Sequence, residues 1–185
     1  VESKKNEDWW KEIAEIKQYE NENSAAQIGS LTPYEVISTV NSYLPNDTPV
    51  ATDVGQHQMW TAQKYHFETP RTLMTSSGLG TMGYGMGAAI GACVATGKRT
   101  VLFTGDGSFG MCLNEMATCS ANDLPIVILL LNNGVLGMVR QWQTLFFDKH
   151  YSNTVLTDRK TNFVRLAEAF GCQGEAVTTV DELDM

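Results

Sequence analysis

Short apolar runs alternate along the chain with longer stretches whose apolar residues recur at helical spacing. Residues 7–20 set Trp9, Trp10, Ile13 and Ile16 among charges at roughly the helical period, which predicts an amphipathic helix, and the polar run Asn21-Glu22-Asn23-Ser24 follows it. Thr32-Pro33 reads as a helix start, with Thr as the cap and Pro at the first helical position. Val36, Ile37, Val40 and Leu44 carry that helix to the residue before Pro45. Beyond it the pattern predicts a strand over 49–52, a helix over 56–65, a weak strand over 71–75 and a small-residue helix over 83–96. A strand over 99–104 and a helix over 109–121 come next. Pro125 to Leu131 is an unbroken Ile, Val and Leu run, as expected of a central parallel strand buried on both faces. Helices over 136–146 and 161–170 complete the series. Such alternation predicts an α/β fold: a three-layer domain with a mainly parallel central sheet flanked by helices. Ligands of such sheets bind beyond the carboxyl ends of the strands, so the residues just after each strand are the functional candidates.

The 185 residues fit one domain, and 43% hydrophobic with 18% charged residues is an ordinary globular composition. Thirteen Lys and Arg stand against 21 Asp and Glu, a net charge of −8 without a basic cluster, which argues against nucleic acid and anionic membranes as partners. No apolar run approaches the roughly 18–20 residues of a membrane span, and the charged N-terminus lacks the apolar core of a signal peptide. Cys93, Cys112, Cys119 and Cys172 show no CxxC spacing and read as reduced core thiols, which suggests a reducing, cytoplasmic setting. The chain starts at Val1 inside a charged helical pattern and stops at Met185 just as Val180-Asp181-Glu182-Leu183 begins another. Residues 1–30 are therefore expected to be a linker or the tail of a preceding domain. Residues 31–185 are expected to be one binding domain, cut at both ends from a larger parent. Of 16 Gly, a crowd falls between Gly78 and Gly110, a density that indicates backbone passing close to something.

Three strand ends are polar or Gly-rich: Asp53-Val54-Gly55-Gln56-His57, Gly105-Asp106-Gly107-Ser108 and Asn132-Asn133-Gly134. The 24 residues between Gly107 and Asn132 suffice for one crossover helix, so neighbouring strands would bring Asp106 and Asn133 to the same edge of the sheet. A carboxylate beside a side-chain amide is an oxygen pair for a hard divalent cation. Mg²⁺ takes few protein carboxylates and completes its shell with water and phosphate oxygens. The missing ligands could come from a diphosphate, approached by backbone N–H groups of the glycines and by the helix expected to start near Ser108. Each motif alone is a common turn. A nucleotide fold competes, because Gly78-x-Gly80-x-x-Gly83 formally matches the dinucleotide fingerprint and Asp106 lies 23 residues beyond it. Against it, the preceding strand is weak, Ser76-Ser77 intervene, and Gly107, Ser108 and Asn132-Asn133 are left without a role.

The run Gly105-Asp106-Gly107, 24 residues, Asn132-Asn133 resembles the signature of the thiamine-diphosphate enzymes. Three further segments narrow the likeness: Gly55-Gln56-His57-Gln58-Met59-Trp60, Gly78-Leu79-Gly80-Thr81-Met82-Gly83-Tyr84-Gly85 and Gly137-Met138-Val139-Arg140-Gln141-Trp142-Gln143. In order and spacing they resemble the catalytic large subunits of the acetolactate synthase (acetohydroxyacid synthase) family over about residues 31–180. Ser76-Ser77-Gly78 and Met86-Gly87 depart from that family's usual residues.

The resemblance implies a thiamine-diphosphate-binding fold with Mg²⁺ held by Asp106, Asn133 and the carbonyl of Val135. Val54, Gly55, Gln56, His57, Gly105, Gly107 and Ser108 would line the diphosphate. Gly80 and Met82 would meet the aminopyrimidine, with Met82 propping the cofactor into a bent form. Gly137 and Met138 would continue the wall, and Trp142 would face the substrate and favour larger 2-keto acids. Met82, Met138 and Trp142 are thus the catalytic candidates. The implied reaction is decarboxylation of pyruvate and condensation of the two-carbon unit with a second 2-keto acid, pyruvate or 2-ketobutyrate, in branched-chain amino-acid biosynthesis. It further implies an activating Glu from a second catalytic subunit, FAD held mostly outside this chain and a regulatory small subunit. Another thiamine-diphosphate-dependent 2-keto-acid decarboxylase or oxidase, and a binding module that kept only the fold, remain as alternatives.

Overall fold

The computed structural model of the chain describes residues 6–23 and 31–183. Strands β1 (Val50–Thr52), β2 (Leu73–Thr75), β3 (Thr100–Gly105) and β4 (Ile126–Leu131) form one sheet in the order β2-β1-β3-β4, and every neighbouring pair is parallel. Helices α1 (Glu7–Asn23), α2 (Pro33–Tyr43), α3 (Gln56–Lys64) and α4 (Tyr84–Thr96) precede or separate the first three strands. They are followed by α5 (Asp106–Phe109), α6 (Met116–Ala121), α7 (Gly137–Phe146), α8 (Phe163–Ala169) and α9 (Val180–Leu183).

Side chains alternate across a strand, and that alternation divides the core into two layers. Ala51 and Leu102 face one side, where Met86 and Ala89 of α4, Phe109, and Met116 and Cys119 of α6 pack on them, backed by Phe163 and Leu166 of α8. Val50, Val101 and Phe103 face the other, against Ile37 and Val40 of α2, Trp60 of α3, Tyr65 and Phe67. This is the expected three-layer α/β arrangement. The α2 start is a full capping box: the Thr32 hydroxyl accepts the Glu35 N–H at 3.2 Å while the Glu35 carboxylate accepts the Thr32 N–H at 2.7 Å. Gly85 lets α4 press onto the strand ends, since a Cβ there would fall 2.8 Å from Leu102 Cδ1 and 2.9 Å from the Asp53 nitrogen.

Two expectations about the elements need correction. The apolar run 126–131 is a parallel strand but an edge one: among the described residues only β3 pairs with it, its side chains are half-buried, and Val127 is 41% exposed. The helix expected over 109–121 is broken into the single turn α5, a 3₁₀ turn at Leu113–Glu115, and α6. Gly110 closes α5 with its N–H on the carbonyls of Asp106 and Ser108, which ends the first turn before the helix can propagate. The N-terminal helix forms as expected but leaves Trp9 62% and Trp10 65% exposed. Residues 1–5 and 24–30 of the expected linker, and the last two residues, lie outside the described residues. All four thiols are free, with Cys93, Cys112 and Cys119 buried, and burial pushes the Cys119 thiol up to about 11. No helix of the described residues is long and apolar enough to cross a membrane.

Candidate functional site

Register decides which residues meet. Thr52 lies opposite Phe103, and Gly105 opposite Leu131, so β1, β3 and β4 deliver Asp53, Asp106 and Asn132 to one edge of the sheet. There the chain forms a cleft of about 200 Å³. Its walls are Val54, Gly55, Gln56 and His57 after β1, Gly80 and Met82 before α4, Gly105, Asp106, Gly107 and Ser108 after β3, and Asn133, Val135, Gly137 and Met138 after β4. Every residue expected to touch the cofactor therefore lines this one cleft. Trp142 does not. It projects from α7 with 62% of its surface exposed and meets Phe146 edge-on at 6.3 Å. Trp60, Leu131, Leu136 and Val139 also line the cleft; the sequence assigned none of them a role, although Trp60 and Val139 lie inside two of the segments that carry the resemblance.

The glycines are there because backbone and side chains approach within contact distance. A Cβ on Gly107 would fall 2.7 Å from Leu136 Cδ2 and 3.3 Å from Leu156 Cδ1. A Cβ on Gly137 would overlap the amide of Gln56. The His57 ring fills the space between two glycines, since a Cβ on Gly55 would sit 2.6 Å from its Cε1 and one on Gly105 would sit 3.1 Å from its Nδ1. His57 is only 5% exposed, and its Nε2 is buried without a hydrogen-bond partner. Burial lowers its pKa to about 4, against the opposing pull of the Asp53 charge and carbonyl, so the ring is neutral at pH 7.

Asp106 is 5% exposed, and its Oδ1 is likewise buried with no partner. Burial raises its pKa, opposed by N–H groups of Asp106, Asn133 and Gly107 and by the Arg159 charge. A buried carboxylate oxygen without a donor is costly unless something else satisfies it. Asn133 Oδ1 accepts the Val135 N–H at 3.1 Å, which curls the loop after β4. A strap from the following segment fixes that loop: the Leu136 N–H donates to the Thr154 carbonyl at 2.8 Å and the Leu156 N–H to the Gly134 carbonyl at 2.7 Å, around a Val135–Val155 bridge. The Ser108 hydroxyl donates to the Val54 carbonyl at 2.8 Å and ties the β1 and β3 ends together. Among the described residues no three His, Cys, Asp or Glu side chains converge as a metal cage. The available donors are one carboxylate, one amide and backbone carbonyls, all oxygen, a set that suits Mg²⁺ sharing its shell with phosphate rather than zinc or a thiolate-bound metal. The orphaned Asp106 Oδ1 and the glycine cradle fit such a group.

The expected helix start near Ser108 is instead the one-turn α5 beginning at Asp106. Its first N–H groups lack intrahelical acceptors, as at any helix start, but so short a helix adds little macrodipole. The dinucleotide alternative finds no support in the loop it depends on. Residues 76–83 separate β2 from α4, Gly78 faces open space, and the Thr81 N–H is held by the Ser76 hydroxyl at 3.1 Å. Asp53, which the sequence marks only as part of a polar strand end, has no exposed surface at all, and its Oδ1 accepts the Gly83 N–H at 2.8 Å.

Comparison with known proteins is consistent with this geometry. Residues 53–185 match the family described as thiamine pyrophosphate enzyme, C-terminal TPP binding domain. The chain is 52% identical over 141 residues to the acetolactate synthase isozyme 2 large subunit of Escherichia coli (strain K12), covering 76% of this chain and 26% of that protein. It is 44% identical over 172 residues to an acetolactate synthase of Mycobacterium bovis, covering 90% of this chain and 28% of the other. It is 42% identical over 165 residues to the acetolactate synthase large subunit of Lactococcus lactis subsp. lactis, covering 89% and 28%. The chain thus spans between a quarter and a third of the length of these curated relatives.

Proposed function

Because the chain belongs to the thiamine pyrophosphate enzymes through their C-terminal TPP binding domain, we propose that residues 31–185 are the cofactor-holding domain of an acetolactate synthase catalytic subunit. Residues 1–30 lead into it from a preceding domain. The observation that carries this reading is the pairing of a buried, partnerless Asp106 oxygen with Asn133 at the ends of two hydrogen-bonded parallel strands. Asp106, Asn133 and the Val135 carbonyl would hold Mg²⁺, and His57, Gly107 and Ser108 would flank the diphosphate. Bound there, thiamine diphosphate would supply the nucleophilic carbon and the electron sink that decarboxylation of a 2-keto acid requires. The protein's part is positioning. Met82 and Gly80 set the aminopyrimidine end, His57 presents a neutral ring nitrogen to the diphosphate, and Leu136, Met138 and Val139 keep the cleft apolar so that water is held off the reacting carbon.

Pyruvate is the donor and pyruvate or 2-ketobutyrate the acceptor, with Trp142 on the exposed side of α7 where an incoming acceptor would pass. A second catalytic subunit supplies the Glu that activates the pyrimidine, FAD is held outside this chain, a regulatory small subunit binds the assembly, and the enzyme works in the cytoplasm. The four free thiols support that last point. On this reading the 185-residue chain alone does not turn over pyruvate, because the activating Glu is not in it. The test is product analysis of the complete protein with pyruvate, thiamine diphosphate and Mg²⁺. Acetolactate supports the proposal, whereas acetaldehyde or acetate would reassign the protein to a decarboxylase or oxidase.

A further inference from the structure

Asp53 stands at the end of β1, is completely buried, and its carboxylate hydrogen-bonds the expected diphosphate wall only through the N–H of its own chain neighbour, Val54. Its Oδ1 accepts two backbone N–H groups, that of Gly83 at 2.8 Å and that of Val54 at 2.9 Å. The Thr104 hydroxyl donates to its Oδ2 at 3.5 Å. Those three partners belong to three different walls of the cleft. Val54 opens the wall that carries His57, Gly83 closes the loop that carries Gly80 and Met82, and Thr104 lies on β3 just before Asp106. Gly83 sits at φ +86 in the left-handed region, and α4 starts immediately after it. Three donors from three separate segments satisfy this one buried side chain, so Asp53 joins the segments as well as filling its place in the core. Among the described residues, the Gly83 N–H bond to Asp53 is the hydrogen bond that ties the helix end of the loop over 76–83 to the strand ends. The Ser76 hydroxyl bond to Thr81 is internal to the loop.

We propose that Asp53 is a positioning residue: a latch that fixes the Gly80–Met82 wall relative to the diphosphate wall, and so sets the distance across which the cofactor's two ends must be bound at once. The latch rests on the thiamine-diphosphate reading of the cleft. Its consequence is selective. Inorganic diphosphate needs only the wall of His57, Asp106 and Asn133. Thiamine diphosphate needs both walls at the right separation.

The test is calorimetric titration of the complete protein carrying this domain, in Mg²⁺, with inorganic diphosphate and separately with thiamine diphosphate. Asp53→Ala should weaken thiamine diphosphate by roughly 10- to 100-fold, the usual cost of losing a supporting hydrogen-bond partner, while diphosphate affinity changes less than about threefold. Asp53→Asn keeps an oxygen for the Gly83 and Val54 N–H groups and should restore thiamine diphosphate to within about threefold of wild type. Should Asp53→Ala fail to fold, Asp53→Ser serves instead: its shorter side chain keeps a polar group at the buried position but withdraws the oxygen from the Gly83 N–H, and the same selective loss is expected. Equal loss of both ligands in either variant, or an Asn variant as weak as the Ala variant, overturns the latch. A wild-type protein that binds neither ligand overturns the thiamine-diphosphate reading itself, a different outcome.

Discussion

Acid should destabilise this domain through one residue, His57. The ring is 5% exposed between Gly55 and Gly105, and its pKa falls from 6.5 to about 4. Between those values the unfolded chain binds a proton that the native chain refuses, so stability is full above pH 6.5 and declines as pH falls toward 4. The whole shift corresponds to about 3 kcal/mol, and the part lost between pH 7 and pH 5 to about 2 kcal/mol. Urea unfolding of the 185-residue chain, followed by amide circular dichroism at both pH values, measures that difference. The same pair of curves for His57→Gln isolates it, because packing lost on substitution is the same at both pH values and cancels. Wild type should lose about 2 kcal/mol more than the variant on going from pH 7 to pH 5, with no change in the slope against urea. Parallel losses in the two proteins would mean that the ring is not held neutral in the native state, and the description of the cleft wall would be wrong.

Other consequences concern packing and the exposed side of the site. Gly85→Ala should destabilise by about 1–2 kcal/mol in urea unfolding, since overpacking against the Asp53 backbone outweighs the gain in helix propensity. Gly91→Ala, on the same helix with nothing within 4 Å of the added carbon, should instead stabilise by up to about 1 kcal/mol. Thr32→Ala removes the cap of α2 and should cost about 1 kcal/mol in the same measurement. Trp142→Leu should leave the thiamine diphosphate dissociation constant within about twofold while changing the ratio of 2-ketobutyrate to pyruvate used as acceptor, because Trp142 lies outside the cleft lining.

The candidate site could be read from the sequence because crossover length constrains it. Twenty-four residues between Gly107 and Asn132 leave room for little more than one connecting helix, and parallel pairing of adjacent strands then forces both loops to one edge. The edge position of β4 was not readable, since an apolar run reports what its side chains face and says nothing of how many strands flank it. The break at Gly110 was hidden for a related reason. Phe109, Cys112, Met116 and Cys119 keep helical spacing across it, and all are buried whether the backbone is continuous or not. Asp53 looked like a polar strand end because its Gly83 partner lies 30 residues away, a separation no local pattern reports. The exposure of Trp142 follows from which face of α7 the cleft takes: Gly137, Met138 and Val139 line it, and Trp142 does not.

The central claim is that Asp106 anchors a metal-bound diphosphate in this cleft. Titration of thiamine diphosphate into wild type and Asp106→Ala, each with Mg²⁺ and with chelator, tests it directly. Wild type should bind with Mg²⁺ and lose that binding with chelator, while Asp106→Ala should bind weakly and equally under both conditions, with its urea midpoint nearly unchanged. Undiminished, Mg²⁺-dependent binding by Asp106→Ala would remove Asp106 from the metal site and contradict the account.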